Sequence, residues 1–155
     1  AAGVAAAMLP DADVLGFALH VPYADAFGHR GASHSLLFAT LVAALGACAY
    51  RWLQARPLQA ALWLWLCAAS HPLLDAMTSG GLGVALAWPW SEAREFAPWR
   101  PIRVSPFVGG FFNARGLATL ASELRWVWLP LALAAAAWRV LQAPPSRSRP
   151  TEPTR

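Results

Sequence analysis

Three nearly unbroken apolar runs decide what this chain can fold into: LLFATLVAALGACAY at residues 36–50, LQAALWLWLCAAS at 58–70 and WVWLPLALAAAAW at 126–138. A helix crosses about 30 Å of hydrocarbon with about 20 residues. The windows Ser33–Trp52, Leu58–Thr78 and Leu117–Leu141 qualify or come close, the last with Pro130 as an expected kink. The opening AAGVAAAMLP reads as the tail of a further helix, because it has neither a basic start nor a hydrophobic stretch long enough for a signal sequence. The expected fold is therefore all-α, a polytopic membrane helical bundle of three full spans plus the end of a truncated N-terminal helix. Composition agrees: 57% of residues are hydrophobic and only 13% charged, outside the range of an ordinary soluble domain.

The link between the first two spans, LQARP, is short enough to force an antiparallel hairpin. His34 opens the first span and His71 lies near the close of the second, so the hairpin returns His71 to the face that His34 left. The N-terminal segment delivers Asp11 and Asp13, after Pro10, to a membrane boundary that can be the same one. Residues 82–116, with Pro89, Pro98, Pro101 and Pro106, form a long irregular loop on this face. The membrane-embedded domain covers 1–143, and the polar, proline-rich stretch 144–155 reads as a disordered tail. Trp88, Trp90, Trp99, Trp126 and Trp128 flank the site face and Trp52 and Trp138 the opposite one, as an interfacial belt does. Trp63 and Trp65 fit neither belt and are expected to pack. Arginine counts on the two faces tie, while the acid-rich site face and the compact RWLQARP turn favour a site directed away from the cytoplasm.

All 12 basic residues are arginines, scattered rather than striped, and no nucleic-acid-binding signature is present, so nucleic acid is not an expected partner. Cys48 and Cys67 lie inside apolar runs and are expected to be small buried hydrophobes.

The polar residues come in clusters. His71 and Asp75, four apart on a helix, share one face about a turn apart, and Thr78 continues the stripe. His29 and His34 suit a turn leading into a helix, and Asp11-Ala12-Asp13 offers two hard oxygen donors. Imidazole nitrogen with carboxylate oxygen is the donor mixture of zinc, manganese or iron hydrolytic sites. Each motif alone has an ordinary structural explanation, as a hydrogen-bonded pair or a turn. Their gathering at one end of a membrane bundle, where ionisable groups are costly, makes them functional candidates. His20 and Asp25 read as loop and turn residues. Glu123, at the bilayer edge on the site face, can act as a general base, orient a ligand or pair with an arginine.

At these residues the chain resembles a known family. LPDADVLG, HRGASHSL, SHPLLDAMTSGG and WPWSEAREFAPWRPIRVSPFVGGFF followed by SELRWVW are similar to the YdjM/YbcI-type inner-membrane proteins, described by inference as membrane-bound metal-dependent hydrolases. The resemblance covers nearly the whole chain except the tail, and Ser33 stands where the family pattern has threonine. It implies a bacterial inner-membrane helical bundle with a divalent-metal site built from Asp11, Asp13, His29, His34, His71 and Asp75. Family members usually begin with a further segment carrying a histidine, which this chain lacks, so the resemblance leaves the ligand set open.

The leading expectation is a hydrolase that uses zinc, or manganese, to activate water against an ester or phosphoester of a lipid-like or amphipathic substrate. Arg30, beside His29, is placed to hold an anionic group, with Arg100 and Arg103 assisting and Glu123 in a catalytic or supporting role. Six candidate ligands exceed four for one tetrahedral ion, so either two metals bind or some residues orient the others. Two rival readings remain: a non-catalytic metal-binding or transporter-like bundle in which the same residues form a structural network, and a membrane-tethered partner of a regulatory protein.

Overall fold

A computed structural model describes residues 1–106 and 112–142 of the 155-residue chain. The tail expected over 144–155 lies outside the described residues, as do residues 107–111 of the long loop. The regular elements among the described residues are all helices, without a named strand, and two isolated bridges, Thr78 to Ile102 and Val84 to Glu95, tie the loop together. The helices are α1 (Ala2–Met8), α2 (Leu15–Ala18), α3 (Leu36–Cys48), α4 (Pro57–Ala76), α5 (Ala114–Glu123) and α6 (Leu129–Gln142).

Helix α3 starts where the sequence supplies a cap: the Ser35 hydroxyl accepts the Phe38 N–H at 3.1 Å. Helix α4 starts at Pro57, whose missing N–H costs nothing in a first turn. It continues through Pro72 to Ala76. The two pack as the expected hairpin, and α1 lies against α4. Small residues let the backbones approach: Ala39 and Val42 of α3 meet Leu64, Ala68 and Ala69 of α4, with Ala6 of α1. Ala68 is 1% exposed. Ala68→Leu is expected to overpack this seam at a cost of about 1–3 kcal/mol, read as a lower melting temperature in detergent. An unchanged melt would mean that the helices do not press together there.

The spans differ from expectation. Only the continuous helix Ala114–Gln142, 29 residues, is both long and apolar enough to cross a membrane among the described residues. Helix α3 ends at Cys48, four residues before the expected Trp52, and its 13 residues reach only about 20 Å. Helix α4 has 20 residues, but Gln59, Ser70, His71 and Asp75 dilute its apolar character. By length and composition, then, one helix among the described residues is membrane-capable, and the α3–α4 hairpin is apolar but shorter. The long helix leaves α-geometry for one π turn over Leu124–Trp128, immediately before Pro130, where the ring removes an N–H donor from the ladder. Its apolar residues lie in the open: Leu117, Leu131, Leu133 and Trp138 are all more than half exposed. Bare apolar surface of this extent is a face for lipid or protein.

One smaller expectation also needs correcting. Cys48 is exposed rather than buried, because it points away from the α3–α4 seam, and Cys67 is only partly buried. As expected, Trp65 packs against the core and donates to Thr40 Oγ1 at 3.2 Å, and Trp63, although more than half exposed, lays its indole edge against Gly3 of α1.

Candidate metal centre

Three separate segments meet at one end of the hairpin. A 3-10 turn, Leu9–Val14, follows α1 and carries Asp11 and Asp13. A second, Ala32–His34, leads into α3 and sets His34. The last turns of α4 carry His71 and Asp75. Between the first two, the loop doubles back so tightly that a Cβ on Gly31 would lie 2.2 Å from the Ala26 carbonyl oxygen, and Arg30 takes a positive φ of 65°. Both constraints swing His29 and Arg30 inward, where each is buried.

Asp11, His34, His71 and Asp75 each offer one donor atom, all within 4.8 Å of one another, so the group could hold a metal ion. His34 Nε2 lies 3.5 Å from Asp11 Oδ1 and 3.4 Å from Asp75 Oδ2. His71 Nε2 lies 3.2 Å from Asp11 Oδ1 and 3.7 Å from Asp75 Oδ2. Both nitrogens are buried without a hydrogen bond, although such atoms ordinarily find partners. Zinc bonds to nitrogen and oxygen of about 2.0–2.2 Å give a tetrahedron with edges of about 3.3–3.6 Å. The four observed edges scatter around that range. Imidazole nitrogens that make no hydrogen bond yet face carboxylates at ligand spacing fit a divalent cation.

Asp13 serves differently. Its carboxylate meets His29 Nδ1 at 2.7 Å and His34 Nδ1 at 3.1 Å, and accepts from Ser33 Oγ at 2.5 Å and the Arg30 N–H at 3.2 Å. Surrounded on all sides, it holds the far edge of the His34 ring and leaves Nε2 pointing at the cluster, as carboxylates behind metal-binding histidines do. Asp13, His29 and His34 form a second group with metal-compatible spacing, sharing His34. The six expected ligands thus converge, in two overlapping sets.

Arg30, the expected anion clamp, is occupied otherwise. Its buried guanidinium donates to Asp75 Oδ1 at 3.0 Å, Thr78 Oγ1 at 3.1 Å and the Gly80 carbonyl at 3.0 Å, which fixes the Asp75 carboxylate. Asp75 receives that bond on one oxygen and turns the other to the histidines. Glu123 and Arg103 line a cavity of about 770 Å³ that opens beside Asp11, His71 and Asp75. Arg100 lies over the Phe96 ring, 4.6 Å from its centroid. His20 stays outside the cluster, and Asp25 makes the expected turn, its Oδ1 accepting from the Phe27 N–H at 2.9 Å.

Sequence reasoning missed Arg94. Its guanidinium reaches across from the long loop to the carbonyls of His29 at 2.7 Å, Asp25 at 2.8 Å and Tyr23 at 3.1 Å, bracing the turn that carries the site. No local motif signals this, because its partners are backbone atoms about 65–71 residues away.

The chain matches the family model of the YdjM inner membrane protein over residues 1–145. It belongs to that family. It is also 48% identical, over 133 residues, to the inner membrane protein YbcI of Escherichia coli (strain K12), an alignment covering 83% of this chain and 76% of the relative. No solved structure matches. Both names are those of inner membrane proteins, and the exposed apolar helix Ala114–Gln142 agrees with that location.

In this YdjM-family chain, the clustering shifts the titration of Asp11, Asp13 and His34. Burial pushes the His34 imidazolium down, but the carboxylates of Asp11, Asp13 and Asp75 outweigh it and raise its pKa to about 10. Burial likewise pushes the Asp11 and Asp13 carboxyls up, and the facing histidines override it, holding both well below the usual carboxylate range. After chelation, the His34 contribution to stability is complete below its ordinary 6.5 and lost as pH rises through about 10. The Asp11 and Asp13 contributions are complete above 3.8 and lost in acid. A metal takes the place of the imidazolium proton, so its binding releases protons. Thermal melts with and without added zinc should therefore show a larger metal-induced rise at about pH 8 than at about pH 6. A rise independent of pH would place the ion elsewhere.

Proposed function

We propose that this chain is a membrane-bound, metal-dependent hydrolase of the bacterial inner membrane. In this reading Asp11, His34, His71 and Asp75 hold one divalent cation, zinc by preference and manganese as the alternative. The observation that carries it is the meeting of four donors from three segments, two of them buried imidazole nitrogens without hydrogen bonds. A divalent ion there supplies a Lewis acid and an activated water for attack on an ester or phosphoester. Asp13 orients His34, and Arg30 orients Asp75. Asp11 is the most exposed of the four, with half its side chain open, and gives the centre its face towards the cavity. Glu123, across that cavity, is placed to move a proton to or from the reacting group. A substrate reaching this depth from the bilayer is amphipathic, and α3 and α4 embed beside the long helix as further membrane segments.

One observation favours a second reading. Four protein donors already close a tetrahedron, the habit of structural zinc sites, whereas catalytic ones keep a position open. A non-catalytic metal-binding bundle has the same cluster and no turnover. Purified protein screened against phosphoesters and lipid esters separates the two. Chelator-sensitive turnover that disappears in His71→Ala supports hydrolysis, and metal-loaded protein inert across the panel supports the structural ion.

A further inference from the structure

The cavity beside the cluster has two chemically distinct ends. Asp11, His71 and Asp75 form one. Leu74, Ile102, Val104, Val127 and Trp128 form an apolar wall. Val127 and Trp128 belong to the π turn of the long helix, and helical departures of this kind recur at functional sites. On either side of them Leu124, Leu129 and Leu131 are exposed, so the wall runs on into the bare apolar surface of the long helix. The volume, about 770 Å³, falls among small-molecule pockets of about 300–1,000 Å³.

Charge selects the other end of the occupant. The charged lining residues are the carboxylates of Asp11, Asp75 and Glu123 against the guanidiniums of Arg30 and Arg103. A divalent ion at the cluster turns a formal excess of negative charge into an excess of positive. Arg30 is committed to Asp75, Thr78 and Gly80. Arg103 is not: its backbone N–H is fixed by Ser122 Oγ at 2.9 Å, while its guanidinium makes no hydrogen bond or ion pair among the described residues. An anchored backbone with an uncommitted cation is a headgroup contact in waiting.

We propose that this cavity binds an amphiphile with a phosphate-type headgroup, Arg103 holding the headgroup and the Val104, Val127 and Trp128 wall taking the apolar chain. The assignment rests on the metal-centre reading, since the positive excess needs the ion. It names Arg103 as the residue that selects an anionic lipid over a neutral one, and it places the route of entry along the long helix rather than from water.

The test is binding, not turnover. Full-length protein in neutral detergent is first analysed for metal, then titrated with dodecyl phosphate and with inorganic phosphate. Dodecyl phosphate should bind clearly more tightly than inorganic phosphate. Arg103→Gln should weaken it by about tenfold or more, the loss expected of one charge-assisted hydrogen bond. Val127→Trp, which fills the wall, should weaken dodecyl phosphate and spare inorganic phosphate. Unchanged metal content and melting temperature in Arg103→Gln establish that the fold is intact. Equal affinity of wild type and Arg103→Gln overturns the assignment, as does inorganic phosphate binding as well as dodecyl phosphate. Metal-loaded wild type that ignores dodecyl phosphate sinks the cavity assignment alone. Wild type that takes up no metal sinks the parent reading and the assignment with it.

Discussion

His71→Ala combined with Asp75→Asn is expected to strip divalent metal from the purified protein down to background while its helical content stays at the wild-type level. The two residues supply one nitrogen and one oxygen of the four-donor group, and the remaining Asp11 and His34 cannot surround an ion alone. Asparagine is the right replacement for Asp75. Alanine would leave the buried Arg30 guanidinium without its partner, and breaking a buried pair costs about 3–5 kcal/mol, enough to confuse misfolding with ligand loss. The asparagine amide keeps an oxygen for Arg30 and removes the anionic donor. Metal analysis together with circular dichroism reads both quantities. Retention of wild-type metal by this double variant would remove α4 from the centre.

Asp13→Asn has the second largest effect expected, and it separates holding the ion from holding a ligand. Asp13 touches both His29 and His34 at Nδ1 and is nearly enclosed. Losing its charge loosens the His34 ring and lowers the basicity of its Nε2. Carboxylates in that position are worth about 10–100-fold in metal affinity. Competition with a chelating dye should show a loss of that size, with stoichiometry restored at excess metal. Stoichiometry that stays reduced at saturating metal would mean that Asp13 ligates directly, in a second site with His29. An unchanged affinity would mean that the ring is held by packing alone.

How much of this was legible in the sequence follows from range. The His71–Asp75 pair could be placed because both lie on one helix with a fixed repeat, and the meeting of His34 with His71 followed from a short connection. The role of Arg30 could not be placed. Its proximity to His29 suggested an anion clamp, but its partners Asp75, Thr78 and Gly80 are 45 to 50 residues away, and only the tertiary fold brings them to it. Arg94 was hidden for the same reason. The bounds of the spans were hidden differently: hydropathy reports how apolar a run is, not where its helix ends. Tyr50 and Trp52 extend the apolar character past Cys48, yet the helix stops there and a turn begins. The division of six candidate ligands into a four-donor group and a supporting pair, Asp13 with His29, also required coordinates, since Asp11 and Asp13 are equivalent in sequence and differ only in what surrounds them.

The central claim is that imidazoles and carboxylates from three segments share one ion. X-ray absorption at the metal edge, on protein purified in detergent with its own metal, tests it most directly. The account predicts a stoichiometric divalent ion with a shell of nitrogen and oxygen at about 2.0–2.2 Å, imidazole scattering and no sulfur. Folded wild-type protein that carries no metal after exposure to zinc and manganese, or an ion with a thiolate shell drawn from Cys48 or Cys67, would contradict it.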